Sequence, residues 1–126
     1  MTVLLRTRVT AIGPDVADLA EGGLLILFAD GSPPELAEVS VLHAVEQGPS
    51  DAAPQAGASL SIGSLSATIT AVGPSAWSKV LEMGHVVISF NGASQADRPG
   101  EICASPIDAE ALIGALKTDA IITVAG

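Results

Sequence analysis

ATITAVGPSAWSKVLEMGHVVISFNG, Ala67 to Gly92, decides how this chain is read, because an altered copy of it, TRVTAIGPDVADLAEGGLLILFADG, runs from Thr7 to Gly31. Val9-Thr10-Ala11-Ile12-Gly13-Pro14 answers Ile69-Thr70-Ala71-Val72-Gly73-Pro74. With one inserted residue, Val16, Leu19, Ala20, Glu21 and Gly23 answer Trp77, Val80, Leu81, Glu82 and Gly84. In each copy β-branched residues alternate, and Gly-Pro stops the strand. Val16, Leu19 and Ala20, like Trp77, Val80 and Leu81, then fall at i, i+3, i+4 on one helical face. Asp15 or Ser75 stands at the expected N-cap, and Gly22-Gly23 or Gly84 at the expected left-handed C-cap. Each copy therefore predicts strand, tight turn, short helix, strand, turn. The expected architecture is mainly β: a closed barrel of six-stranded type, built from two duplicated strand-helix-strand halves with short helices and few free strand edges. One domain is expected over 1–126, with pseudo-repeats at about 7–31 and 67–92.

Working outward, Met1 to Ile12 and Gly23 to Ala29 read as strands around the first helix, and Ser32 to Glu38 as a turn or one helical turn. Val39 to Glu46 is a further strand, with Val39, Val41, His43 and Val45 on one side. Gln47 to Ala58, QGPSDAAPQAGA, reads as the loop between halves. Leu60 to Ile62 and Leu65 to Val72 flank the Gly63-Ser64 turn. Beyond the second helix, strands are expected at His85 to Phe90, Glu101 to Ala104 and Asp119 to Val124, with a helical pattern from Ile107 to Leu116.

The 126 residues are 48% hydrophobic but only 2% aromatic, so the core must be made of Val, Ile, Leu and Ala. No apolar run approaches the length of a membrane span, and the N-terminus alternates with Arg6 and Arg8 instead of forming a signal-peptide block, so a cytoplasmic protein is expected. Net charge is −9, which repels a polyanionic backbone and argues against nucleic-acid binding. No Lys or Arg lies between Arg8 and Lys79, whereas eight acids do, with His43 among them.

Two histidines far apart in sequence and a single cysteine give no metal-ligand spacing, so no metal and no cofactor is expected. Nucleotide-binding glycine motifs and the hydrolase nucleophile elbow are absent too. Cys103 reads as a small buried hydrophobe, because no basic group near it in sequence would lower its thiol pKa. Trp77 reads as core packing. His85 takes the place of Leu24 in the repeat and reads as structural. His43 is left with two readings, a hydrogen-bonded core imidazole or an uncharged nucleophile with restricted hydration.

ITAVG at Ile69–Gly73, LEMGHV at Leu81–Val86 and FNG at Phe90–Gly92, with the opening MTVLLRTRVTAIGP, the segment LLILFADGSPPELAEVSVLH and the later LSIG, resemble the glucitol/sorbitol-specific enzyme IIA component of the bacterial sugar phosphotransferase system. The resemblance runs in register over nearly the whole chain. It implies a phosphoryl relay, in which a histidine accepts phosphate from phospho-HPr and passes it to the IIB component, the membrane being touched only through IIB and IIC. That family's histidine follows a V-L-H strand, which places it at His43. Ala44-Val45-Glu46 departs from the pattern by supplying no second polar partner. The relay requires the His43 ring to be reachable by a phosphorylated donor, with its flanking valines as the apolar part of a docking surface. The rival reading is a non-catalytic binding or regulatory module on the same barrel, with His43 merely packed.

Overall fold

The computed structural model describes residues 2–126; the Met1 end of the first expected strand lies outside the described residues. In chain order the elements are β1 (Val3–Ile12), α1 (Val16–Glu21), β2 (Leu24–Ala29), α2 (Pro34–Ala37), β3 (Val41–Gln47), β4 (Ser59–Ile62), β5 (Leu65–Val72), α3 (Ala76–Met83), β6 (Val86–Ser89), β7 (Glu101–Ala104), α4 (Ala109–Ala115) and β8 (Ile121–Ala125). The strands close into a barrel in the order β1-β3-β2-β6-β7-β5-β4-β8. The closed β architecture is as expected, but the barrel has eight strands and not six. Six strands leave a gap between β5 and β1; β4, hairpinned to β5, and β8, paired with β1, meet there and complete the ring.

β2 runs parallel to β3, and β6 parallel to β7, while the remaining pairs are antiparallel. The Gly-Pro turns extend the antiparallel β1–β3 and β5–β7 pairs past the strand ends. The N–H of Gly13 bonds the Ser40 carbonyl and that of Gly73 the Glu101 carbonyl; one step on, Asp15 bonds Glu38 and Ser75 bonds Pro99. A Cβ on Gly13 would run into the backbone of Ala37 and Glu38, and one on Gly73 into that of Arg98 and Pro99. These glycines are required by close approach of two backbones, a stronger demand than turn punctuation.

The helix ends hold a correction. Asp15 and Ser75 stand at the N-caps of α1 and α3, but neither side chain makes a capping bond. Their ψ values, 0° and 5°, lie outside the extended region from which an N-cap oxygen reaches back into the first turn. Asp108 of α4, at ψ 129°, does accept from the Ala111 N–H. Gly84 ends α3 in the left-handed conformation, as expected, whereas after α1 it is Gly23 and not Gly22 that turns left-handed.

Burial alternates along β4 and through most of β1 and β5, while all four residues of β7 are buried, and Leu60, Ile69, Ile88, Ile102 and Ile122 fill the interior around a residual void of only about 10 Å³. Trp77 and Val80 of α3 line the same void, so this helix seats its apolar face in the barrel. Leu81, expected on that face, is 44% exposed, since the eight-residue helix buries only Ala76, Trp77 and Val80. The loop after β3 is anchored: Ser50 donates its N–H to Leu4, and its own carbonyl accepts from Trp77 Nε1 at 2.7 Å. No helix among the described residues is long and apolar enough to cross a membrane.

Candidate functional site

His43 lies mid-way along β3, opposite Val9 of β1 and Ala29 of β2. Strand alternation turns Val41 and His43 to the interior and leaves Leu42 and Ala44 half-buried. The ring is held at both ends. His43 Nε2 lies 2.7 Å from the Gly84 carbonyl oxygen, and Nδ1 lies 2.6 Å from Thr7 Oγ1. A carbonyl only accepts, so Nε2 carries the hydrogen; in the neutral ring Nδ1 is then the acceptor, and the Thr7 hydroxyl donates to it. Burial pushes the His43 pKa below its usual value, outweighing the Gly84 bond and the Asp30 charge, which push it up.

At 2% exposure the imidazole is covered, so the expectation of a ring reachable by a phosphorylated donor is not met. The covering group is the end of α3. Gly84 approaches so closely that a Cβ there would lie 2.8 Å from Ala29 Cβ and 3.3 Å from His43 Cε1. The two valines expected to flank the site part company: Val41 is in the core, while Val45 is 42% exposed. Val39 precedes the strand altogether.

The charges around the site are mainly acidic. Asp30 follows β2, donates its N–H to the His43 carbonyl and accepts the Thr10 hydroxyl on its carboxylate. Arg6 and Arg8 lie on the strand paired with β3 but are engaged at the surface by Glu46 and Asp119.

His85 sits one residue from the Gly84 carbonyl, half-buried, its ring centroid 4.9 Å from that of Phe28. Its Nδ1 donates to the Leu27 carbonyl at 3.1 Å, which leaves Nε2 unprotonated in the neutral ring. The structure thus brings both histidines to the two ends of one peptide segment, a proximity absent from the sequence reading. Thr7 was also missed, although a hydroxyl between Leu5 and Val9 on an alternating strand is a signal of a buried polar partner. Cys103 is fully buried as expected; burial and the neighbouring Glu101 carboxylate push its thiol pKa up. Glu101 itself is buried and held by Ser89 Oγ and the Asp97 N–H, with the Ser89 bond drawing its pKa down.

Residues 4–123 match the family model for the PTS system glucitol/sorbitol-specific IIA component. The glucitol/sorbitol-specific EIIA components of Shigella flexneri and of Escherichia coli strain K12 are each 34% identical to this chain over 102 residues, 81% of either length. The crystal structure of a PTS system IIA component from Enterococcus faecalis V583 superposes with a TM-score of 0.74 over 96% of this chain and 99% of that one, at 20% identity, and so shares the barrel fold. The match over almost every strand and helix shows that this chain belongs to the glucitol/sorbitol-specific IIA component family of the sugar phosphotransferase system.

Proposed function

We propose that the protein is a cytoplasmic phosphoryl carrier in which His43 accepts phosphate from phospho-HPr and gives it to a IIB component for glucitol or sorbitol uptake, meeting the membrane only through IIB and IIC. The observation that carries the reading is the pair of hydrogen bonds on His43 in a chain of this family. They hold a neutral imidazole in one orientation on a rigid strand, the positioning that a phosphoryl acceptor requires. Transfer between two imidazoles asks for positioning and charge stabilisation and needs no cofactor on this chain. Asp30 disfavours an added dianion nearby, which suits a phosphate that must leave again.

The covered ring sets a condition on this reading. The Met83–His85 segment has to move off His43 when the donor docks, and the exposed Val45, Leu81 and Met83 supply apolar contact for that partner. We read 1–126 as one IIA domain and the triplets β1-β3-β2 and β5-β7-β6 as its duplicated halves. Ala104 holds the register position opposite Ile69 that His43 holds opposite Val9, so the second half offers no equivalent acceptor.

Incubation with phosphoenolpyruvate, enzyme I and HPr is expected to add one acid-labile phosphate, lost in His43→Ala and kept in His85→Ala. His85, half-buried one residue on from Gly84, is the competing acceptor. Phosphate retained in His43→Ala and lost in His85→Ala would reassign the relay to it; no phosphate in the unmodified protein would leave the binding-module reading.

A further inference from the structure

The inference rests on the relay reading above and concerns how His43 is readied for it. The two partners of the ring differ in chemistry: the Gly84 carbonyl can only accept, whereas the Thr7 hydroxyl can donate or accept by rotation. They also differ in depth. Thr7 is fully buried on β1, between the core residues Leu5 and Val9, so Nδ1 faces the interior. Nε2 faces the α3–β6 connection, where Met83 is 39% exposed and His85 is half-buried. A phosphate carried by another protein reaches the shallower nitrogen, and in the resting ring that nitrogen bears a hydrogen and has no lone pair to offer.

We propose that Thr7 is a positioning residue for phosphoryl transfer, switching from donor to acceptor as the Gly84 carbonyl releases Nε2. Once the Met83–His85 segment has moved off and admitted water to the ring, Nε2 gives up its proton to that water and Nδ1 takes one from it, so the ring stays neutral. The Thr7 oxygen accepts the new Nδ1–H and keeps the ring aimed at the released side. The Nε2 lone pair forms the N–P bond as the P–N bond to the donor imidazole breaks, and that bond's electron pair returns to the donor's nitrogen. Gly84 suits the release because its left-handed backbone, φ 62°, is one that glycine leaves and re-enters at little steric cost.

The test compares Thr7→Val, which keeps the shape and removes the hydroxyl, with Thr7→Ser, which restores it. HPr-dependent labelling rates are measured, with imidazole 15N NMR of the unmodified and phosphorylated protein. The expected spectra show hydrogen on Nε2 at rest, then phosphate on Nε2 and hydrogen on Nδ1 after transfer. Thr7→Val is expected to slow labelling by about ten- to a hundredfold, the effect of leaving one buried donor unpaired, and Thr7→Ser to recover to within about threefold of the unmodified rate. Phosphate on Nδ1, full-speed labelling of Thr7→Val, or failure of Thr7→Ser to recover would overturn the proposal while leaving the relay intact. If the valine variant does not fold, the position of phosphate in the unmodified protein decides alone. Labelling that survives His43→Ala removes the relay reading at this residue, and this inference with it.

Discussion

A histidine buried between a threonine hydroxyl and a backbone carbonyl contributes to stability in a pH-dependent way. Burial lowers the folded-state pKa of His43, so the unfolded chain binds the proton better. Its contribution is therefore fully present above the unfolded value, roughly 6.5, and is lost as pH falls below that toward the folded pKa. Unfolding free energies from urea titrations between pH 7.5 and 5.5 are expected to fall with acid for the unmodified protein, by at most about 1.4 kcal/mol per pH unit, and to flatten in His43→Gln. Equal slopes in the two proteins would show that the imidazole does not titrate on unfolding. Strand alternation in VSVLHAVE was enough to put His43 on the valine side. The depth of its burial was not legible, because Thr7 and Gly84 reach it from 36 and 41 positions away.

At the level of elements, the repeated Gly-Pro marked the right places for a reason only the packed backbone discloses. Gly73→Ala is expected to destabilise by about 2 kcal/mol or more, since its Cβ meets the Arg98–Pro99 backbone, which cannot yield as a flexible side chain would. Gly114, exposed within α4 with nothing within 4 Å of an added Cβ, is the opposite case. Gly114→Ala is expected to stabilise by about 0.5–1 kcal/mol through helix propensity and lower unfolded-state entropy. Thermal or urea unfolding of the two variants checks both signs. The strands and the two repeated helices were readable from period and punctuation. The N-cap positions were read correctly, but not the missing side-chain bond, because a capping residue type says nothing of ψ, and at Asp15 and Ser75 the neighbouring strand connection sets it.

For the molecule as a whole, the strand list was closer to the truth than the strand count. Leu60 to Ile62 and Asp119 to Val124 were recognised as strands, yet nothing local states that a segment near residue 60 and one near residue 122 lie side by side between β5 and β1. The charge of −9 acts at this scale too. Association with a partner presenting a basic face is expected to slow several-fold as salt rises from about 0.05 to 0.5 M, because screening shortens the reach of the acidic surface. Stopped-flow mixing with HPr at the two salt concentrations measures this, and a salt-independent rate would count against steering by charge.

Because the ring of strands is complete, each strand already spends its ladder of amides and carbonyls on two neighbours. A visiting protein therefore finds no sheet border to extend, and has to be told apart by side chains and loop ends alone. Such contacts form and part without unzipping backbone, so a partner's arrival and departure leave the barrel's ladders intact.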